Sequence, residues 1–144
     1  MNARQEWLAA RRQGIGGSDA AAILGASRWK TRVDVWLDKT GQAPETVENS
    51  AMHWGTVLEP VIREEYSATM GLEVKQPPMM RNPEHPFMLA TVDGIAGGDR
   101  VLEIKTAMTA DGGGEEGTDE VPLEYAAQVH HYMNVTVLPV ADIS

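Results

Sequence analysis

The chain has 144 residues, 42% of them hydrophobic, with 12 basic and 21 acidic side chains, a formal net charge of -9 and no cysteine. One compact domain is expected at this length, disorder is not, and disulfides, thiolate metal sites and a cysteine nucleophile are excluded. No run of about 18 apolar residues marks a membrane span, the N-terminus lacks the apolar stretch of a secretory signal, so a cytoplasmic setting is expected, and the acidity argues against a protein that coats nucleic acid through a broad basic patch.

In chain order, Arg4 to Gln13 reads as a helix with Trp7, Leu8 and Ala10 turned inward. Gly14-Ile15-Gly16-Gly17 breaks it, and Ser18 suits the N-cap of a short helix that stops at Gly25. Thr31 is a second cap, opening a helix through Val33, Val35, Trp36 and Leu37 that stops at Gly41. The longest helical stretch runs from Ser50 to Met70 and ends at Gly71. Trp54, Val57, Leu58, Val61, Ile62 and Tyr66 form its apolar stripe, and Pro60 predicts a kink or a division into two helices. Strands are expected over 72–75, 79–81, 87–95 and 101–107. The Gly-rich acidic stretch 111–119 reads as a mobile loop. Pro122 fits the first turn of a helix to Asn134. The tail from Val135 to Ile143 reads as a strand whose Pro139 suits only an edge position and whose pairing partner is not evident.

The chemistry concentrates in the hairpin of the last two of these strands, expected to bring its charged groups together at one edge of a sheet. Asp93 stands near the end of the first, before Gly94, where an ordinary turn-forming Asp is the alternative. Glu103 lies between Leu102 and Ile104, and a carboxylate buried there needs a partner or a metal. Lys105 is two residues on and shares its face, although an exposed Glu–Lys pair would read the same way. Glu59 borders the apolar stripe of the long helix, either facing a cleft or facing solvent. Such a set is the minimum apparatus for holding a divalent metal and a water for phosphodiester cleavage. Asp93 and Glu103 would supply carboxylates, the Ile104 carbonyl a further oxygen, and Glu59 would hold a second ion or its hydration shell. Lys105 would orient the attacking water or stabilise charge on the phosphate. Gln128 lies among Tyr125, Val129 and Tyr132 at helical spacings, so it is expected on the buried stripe, bonded to Lys105, to a metal-bound phosphate or to backbone. His130 and His131 are adjacent and project in different directions, so they make no metal pair.

Trp7, Arg11, Gly16-Gly17-Ser18-Asp19, Trp54-Gly55 with Glu59, Val92-Asp93-Gly94, Leu102-Glu103-Ile104-Lys105-Thr106 and Ala127 to Thr136 follow one another in an order that resembles the YqaJ-type viral recombinase family. That family is similar to phage lambda exonuclease and belongs to the PD-(D/E)xK nuclease superfamily. The resemblance implies an α/β (α+β) fold with a restriction-endonuclease-like core, a mixed central sheet flanked by helices. It implies a Mg²⁺- or Mn²⁺-dependent exonuclease of phage or prophage recombination that digests duplex DNA from its ends, 5′ to 3′. Glu59, Asp93 and Glu103 fall on the family's acidic metal positions, Lys105 on its catalytic lysine and Gln128 on a helix glutamine. Arg11 and Ser18 match residues associated with the 5′ phosphate. A helix start with a hydroxyl and a nearby arginine is also a physically sensible anion site. Arg12 is the alternative to Arg11 if the helix phase shifts by one residue.

The implied partners are double-stranded DNA ends, a single-strand annealing protein and other copies of the chain, with no membrane. The family carries a long C-terminal extension with further strands, so the chain is expected to be a nuclease core cut short at its C-terminus. The alternative function is an inactive, nuclease-like module that binds DNA ends or a recombination partner.

Overall fold

A computed structural model of the chain describes residues 2–107, 115 and 117–144. Most of the expected acidic loop at 111–119 lies outside the described residues. Four helices come first: α1 (Ala3–Arg12), α2 (Gly17–Ile23), α3 (Arg32–Lys39) and α4 (Ser50–Met70). Five short strands follow, β1 (Val74–Lys75), β2 (Met80–Arg81), β3 (Leu89–Ala90), β4 (Gly94–Ala96) and β5 (Arg100–Glu103). Then come α5 (Leu123–Thr136) and β6 (Val140–Ile143).

Local chemistry explains the helix ends. Asn2 and Gln5 cap α1 reciprocally. Thr31, the cap the sequence predicts, does the same for α3 with Asp34. Asn49 accepts from the Met52 N–H at the start of α4, and Gly71 ends that helix in the left-handed region at φ 64°. For α2 the expectation needs correcting. Its N-cap is Gly16, so Ser18 is the second helical residue. Helix α4 also runs unbroken through Pro60, since a proline ring need not end a helix when neighbouring turns carry the ladder.

Strands β1, β4, β5 and β6 form one mixed sheet in that order. β4–β5 is antiparallel and β5–β6 is parallel, with Arg100 opposite Val140 and Glu103 opposite Ile143. The hairpin therefore occupies the sheet's centre rather than its edge. β2 and β3 pair separately. The tail is not one strand: α5 continues to Thr136, Pro139 precedes β6, and β6 pairs with β5. The single strand expected over 87–95 splits into β3 and β4 around Thr91-Val92-Asp93, and β5 stops at Glu103. One hydrogen bond accounts for both changes. The β4–β5 register would set Ile104 opposite Val92, but the Ile104 N–H donates to Asp93 Oδ2 at 2.7 Å. A side-chain carboxylate thus replaces the ladder.

Alternation along β5 divides the core. Val101 packs with Ala90, Val92, Tyr132 and Val135 of α5, while Leu102 and Ile104 pack with Tyr66 of α4 and Ala96. Two expected apolar faces are not buried. Trp7 and Leu8 of α1 are exposed, as are Trp54, Val57, Leu58 and Val61 of α4, because only the Ile62–Tyr66 end of that stripe meets the sheet.

Candidate active site

The strand period that sends Val101 towards α5 sends Glu103 and Lys105 to the same side. Glu103 is 4% exposed. Its Oε1 lies 2.6 Å from Lys105 Nζ and accepts from Gln128 Nε2 at 2.8 Å. Gln128, buried on α5 as its spacing predicts, uses its whole amide: Nε2 also donates to the Tyr132 hydroxyl at 3.0 Å, and Oε1 accepts from Lys105 Nζ at 2.8 Å. Lys105 Nζ also stands 5.0 Å from the centre of the Tyr125 ring. The ammonium is therefore held from three directions. Among the described residues, the buried Glu103 Oε2 has no hydrogen-bond partner.

Asp93 stands beside this group, pinned by the Ile104 N–H. Glu59 reaches the same space from α4, where Arg63, one turn on, bonds it and also donates from Nε to the Asp93 carbonyl at 2.8 Å. Burial, then the Asp93 charge, raises the Glu59 pKa, with Arg63 opposing. Burial pushes Glu103 up to about 7. The nearby Lys105 charge opposes that rise and the Asp93 charge adds to it.

A cavity of about 310 Å³ is lined by Glu59, Asp93, Glu103 and Gln128 together with Arg11, Gly16, Gly17 and Ser18. Arg12 does not line this cavity; it lines a second cleft with Arg4 and Lys30, which Arg11 also borders. Arg11 lies over its own Trp7 ring at 4.7 Å. Helix α2 can approach α5 this closely because Gly17 has no side chain. A Cβ there would come within 2.6 Å of the Tyr132 ring and 2.8 Å of Gln128 Cγ.

The donor set fits a hard cation. Asp93 and Glu103 offer oxygens, and the unpartnered Glu103 Oε2 is a buried acceptor that neither Lys105 nor Gln128 satisfies. Among the described residues no three acidic or histidine side chains converge as a ready cage, so such an ion would draw on water and backbone oxygen as well. Ile104 lies at the end of β5 beside both carboxylates. His131 is buried with its Nε2 2.9 Å from the Leu89 carbonyl, and His130 is exposed, so neither joins the group.

Sequence reasoning gave no role to Arg63, Tyr132 or Asp19. Arg63 could have been found from its i+4 spacing to Glu59. Asp19 is fully buried. Burial alone would raise its pKa, but hydrogen bonds from Lys30, Lys39 and the Gly16 N–H outweigh that and hold it at about 2.

The mixed sheet, its flanking helices and this acid-and-lysine centre define an α/β protein with the restriction-endonuclease-like fold. Residues 6–138 match the YqaJ-like viral recombinase domain, and the chain belongs to that family. It is 43% identical over 135 residues to the uncharacterized protein YqaJ of Bacillus subtilis (strain 168), covering 92% of this chain and 42% of that protein. It is 27% identical over 151 residues to the uncharacterized protein R354 of Acanthamoeba polyphaga mimivirus, covering 96% of this chain and 28% of that one. The chain thus spans less than half the length of these curated relatives. Among solved structures, it is similar to LHK-Exo in complex with dAMP, with a TM-score of 0.76, 24% identity and coverage of 96% of this chain and 72% of that one. It is likewise similar to the alkaline exonuclease LHK-Exo from Laribacter hongkongensis, with a TM-score of 0.74 at the same identity. At that identity the likeness speaks for the fold. Among the described residues no helix is long and apolar enough to cross a membrane.

Proposed function

We propose that the chain carries a Mg²⁺- or Mn²⁺-dependent nuclease centre that hydrolyses phosphodiesters from the ends of duplex DNA, 5′ to 3′. One observation carries this reading. Glu103 Oε2, buried and unpartnered among the described residues, lies beside Asp93 at a cavity that Arg11 and Ser18 also line. Asp93 and Glu103 would hold the ion, with the Ile104 carbonyl as a further oxygen and Glu59 supporting its hydration. A bound divalent ion supplies Lewis acidity and a water of lowered pKa. The chain's own residues do the rest. Lys105, fixed by Glu103, Gln128 and Tyr125, places a positive charge where the phosphate develops negative charge. Gln128 sets that position, and Tyr132 sets Gln128. Arg11 and Ser18 bind a terminal phosphate and so orient the strand. An annealing protein and further copies of the chain are the partners this reading calls for.

The test is a metal titration with end-labelled linear duplex, comparing 5′-phosphate and 5′-hydroxyl ends, with closed circular DNA as the control. Metal-dependent loss of linear duplex, faster for phosphorylated ends, is expected. Asp93→Ala and Lys105→Ala should each reduce the rate by at least about 10²-fold. Robust cleavage by both variants would reject the assigned roles.

A second reading, a module that binds DNA ends or a recombination partner without turnover, is favoured by one contact: Glu59 is tied to Arg63. Mn²⁺ binding and phosphate-dependent DNA binding with no product in the same titration would select it.

A further inference from the structure

Beside the Arg11 wall lies a charge cluster that the proposed chemistry does not use. Asp19 is fully buried on α2. Its Oδ1 accepts from Lys30 Nζ at 2.8 Å, and its Oδ2 accepts from the Gly16 N–H at 3.0 Å and lies 2.7 Å from Lys39 Nζ. A buried carboxylate needs a partner, and Lys30 with the Gly16 N–H already provides one. The second ammonium has a further contact. Lys39 Nζ donates to the Arg11 carbonyl at 2.9 Å.

That bond matters because of what α1 lacks. The helix contains no buried residue, so packing against the core does little to hold it. Its last turn presents Arg11 to the cavity and to the neighbouring cleft, and the guanidinium lies over Trp7 of the same helix, which moves with it. Lys39, at the end of α3 and only 14% exposed, joins that turn to the buried Asp19. Asp38 stands 3.8 Å from Lys39 and 4.0 Å from Lys30. Two lysines and two carboxylates cancel, so the cluster has no net charge with which to attract a phosphate. Its effect is on geometry.

We propose that Lys39 is a positioning residue for Arg11: anchored by Asp19, its ammonium fixes the last turn of α1 and makes the preference for a 5′-phosphorylated DNA end depend on it. The inference rests on the end-binding reading above. A displacement of about 1 Å in a bidentate phosphate contact is enough to lose most of its benefit.

The experiment measures binding without turnover. Fluorescence anisotropy in EDTA gives Kd for labelled duplexes with 5′-phosphate or 5′-hydroxyl ends, and the ratio of the two is the readout. Lys39→Met should cut the wild-type ratio by about tenfold, and Lys39→Arg should restore most of it. Arg11→Ala should cut the ratio to a similar degree, and the double variant should lose little more. Thermal melts accompany each variant, and Lys39→Gln serves in place of Lys39→Met if the latter does not fold. An unchanged ratio in Lys39→Met, or proportional weakening for both ends, overturns the proposal alone. A wild-type protein with no preference for phosphate overturns the Arg11–Ser18 pocket, and this inference with it.

Discussion

Glu103 must be ionised to hold a cation, yet its surroundings favour the neutral acid. Its carboxyl is pushed up to about 7 in the folded chain against an ordinary 4.5. Between those values the folded protein keeps a proton that the unfolded chain has released. Stability therefore falls as pH rises through that window and stays reduced above it. Asp19 behaves in the opposite sense. Held at about 2 against 3.8, it stabilises the fold above the higher value, and that contribution is lost as pH falls towards the lower one. Glu103→Gln in metal-free protein should therefore melt higher than wild type at pH 8, with the gap closing towards pH 4.5. Thermal melts in EDTA at both pH values check this, and a variant that melts lower at pH 8 would count against it. At this scale Glu103, Lys105 and Gln128 were legible because strand and helix periods alone bring them to one face. Asp19 and Lys39 were not, since their pairing depends on how three short helices meet.

Helices α2 and α5 meet closely at the site. Gly17 permits it, and adding a methyl group would press on the Tyr132 ring and on Gln128, the residue that aims Lys105. Gly17→Ala is expected to cost about 1–3 kcal/mol by overpacking and to weaken cleavage along with stability. A lowered urea midpoint together with a reduced rate would be the expected pair of results, and an unchanged midpoint would show that α2 shifts freely. Helix ends were the most legible elements, because Thr31 and Gly71 act through local bonds that residue type and position reveal. The α4 stripe misled because an apolar face says only that a helix can be covered, and the sheet meets just its Ile62–Tyr66 end. The strand break at Thr91–Asp93 was hidden for a related reason. The bond from the Ile104 N–H to Asp93 crosses between strands and has no local trace.

Across the whole molecule, the charge of -9 did not rule out the proposed chemistry, because the cavity that gathers Glu59, Asp93 and Glu103 is also lined by Arg11. The antiparallel hairpin could be read from its glycine turn. The parallel pairing of β5 with β6 could not, since parallel strands need a long crossover and the sequence does not say where the chain returns. That return has a consequence in time. β6 pairs with β5 across forty residues, and beyond it the Ser144 N–H donates to the Glu103 carbonyl while the Lys105 N–H donates to the Ser144 carbonyl. On the ribosome the acids and the lysine emerge before β6, and the strand that carries Glu103 lacks its second neighbour until β6 has followed. Stalled chains in which residue 139 is the last to clear the exit tunnel should fail to bind Mn²⁺, and those released past Ser144 should bind it. The proposed ion site would then stay unformed until β6 has taken its place beside β5.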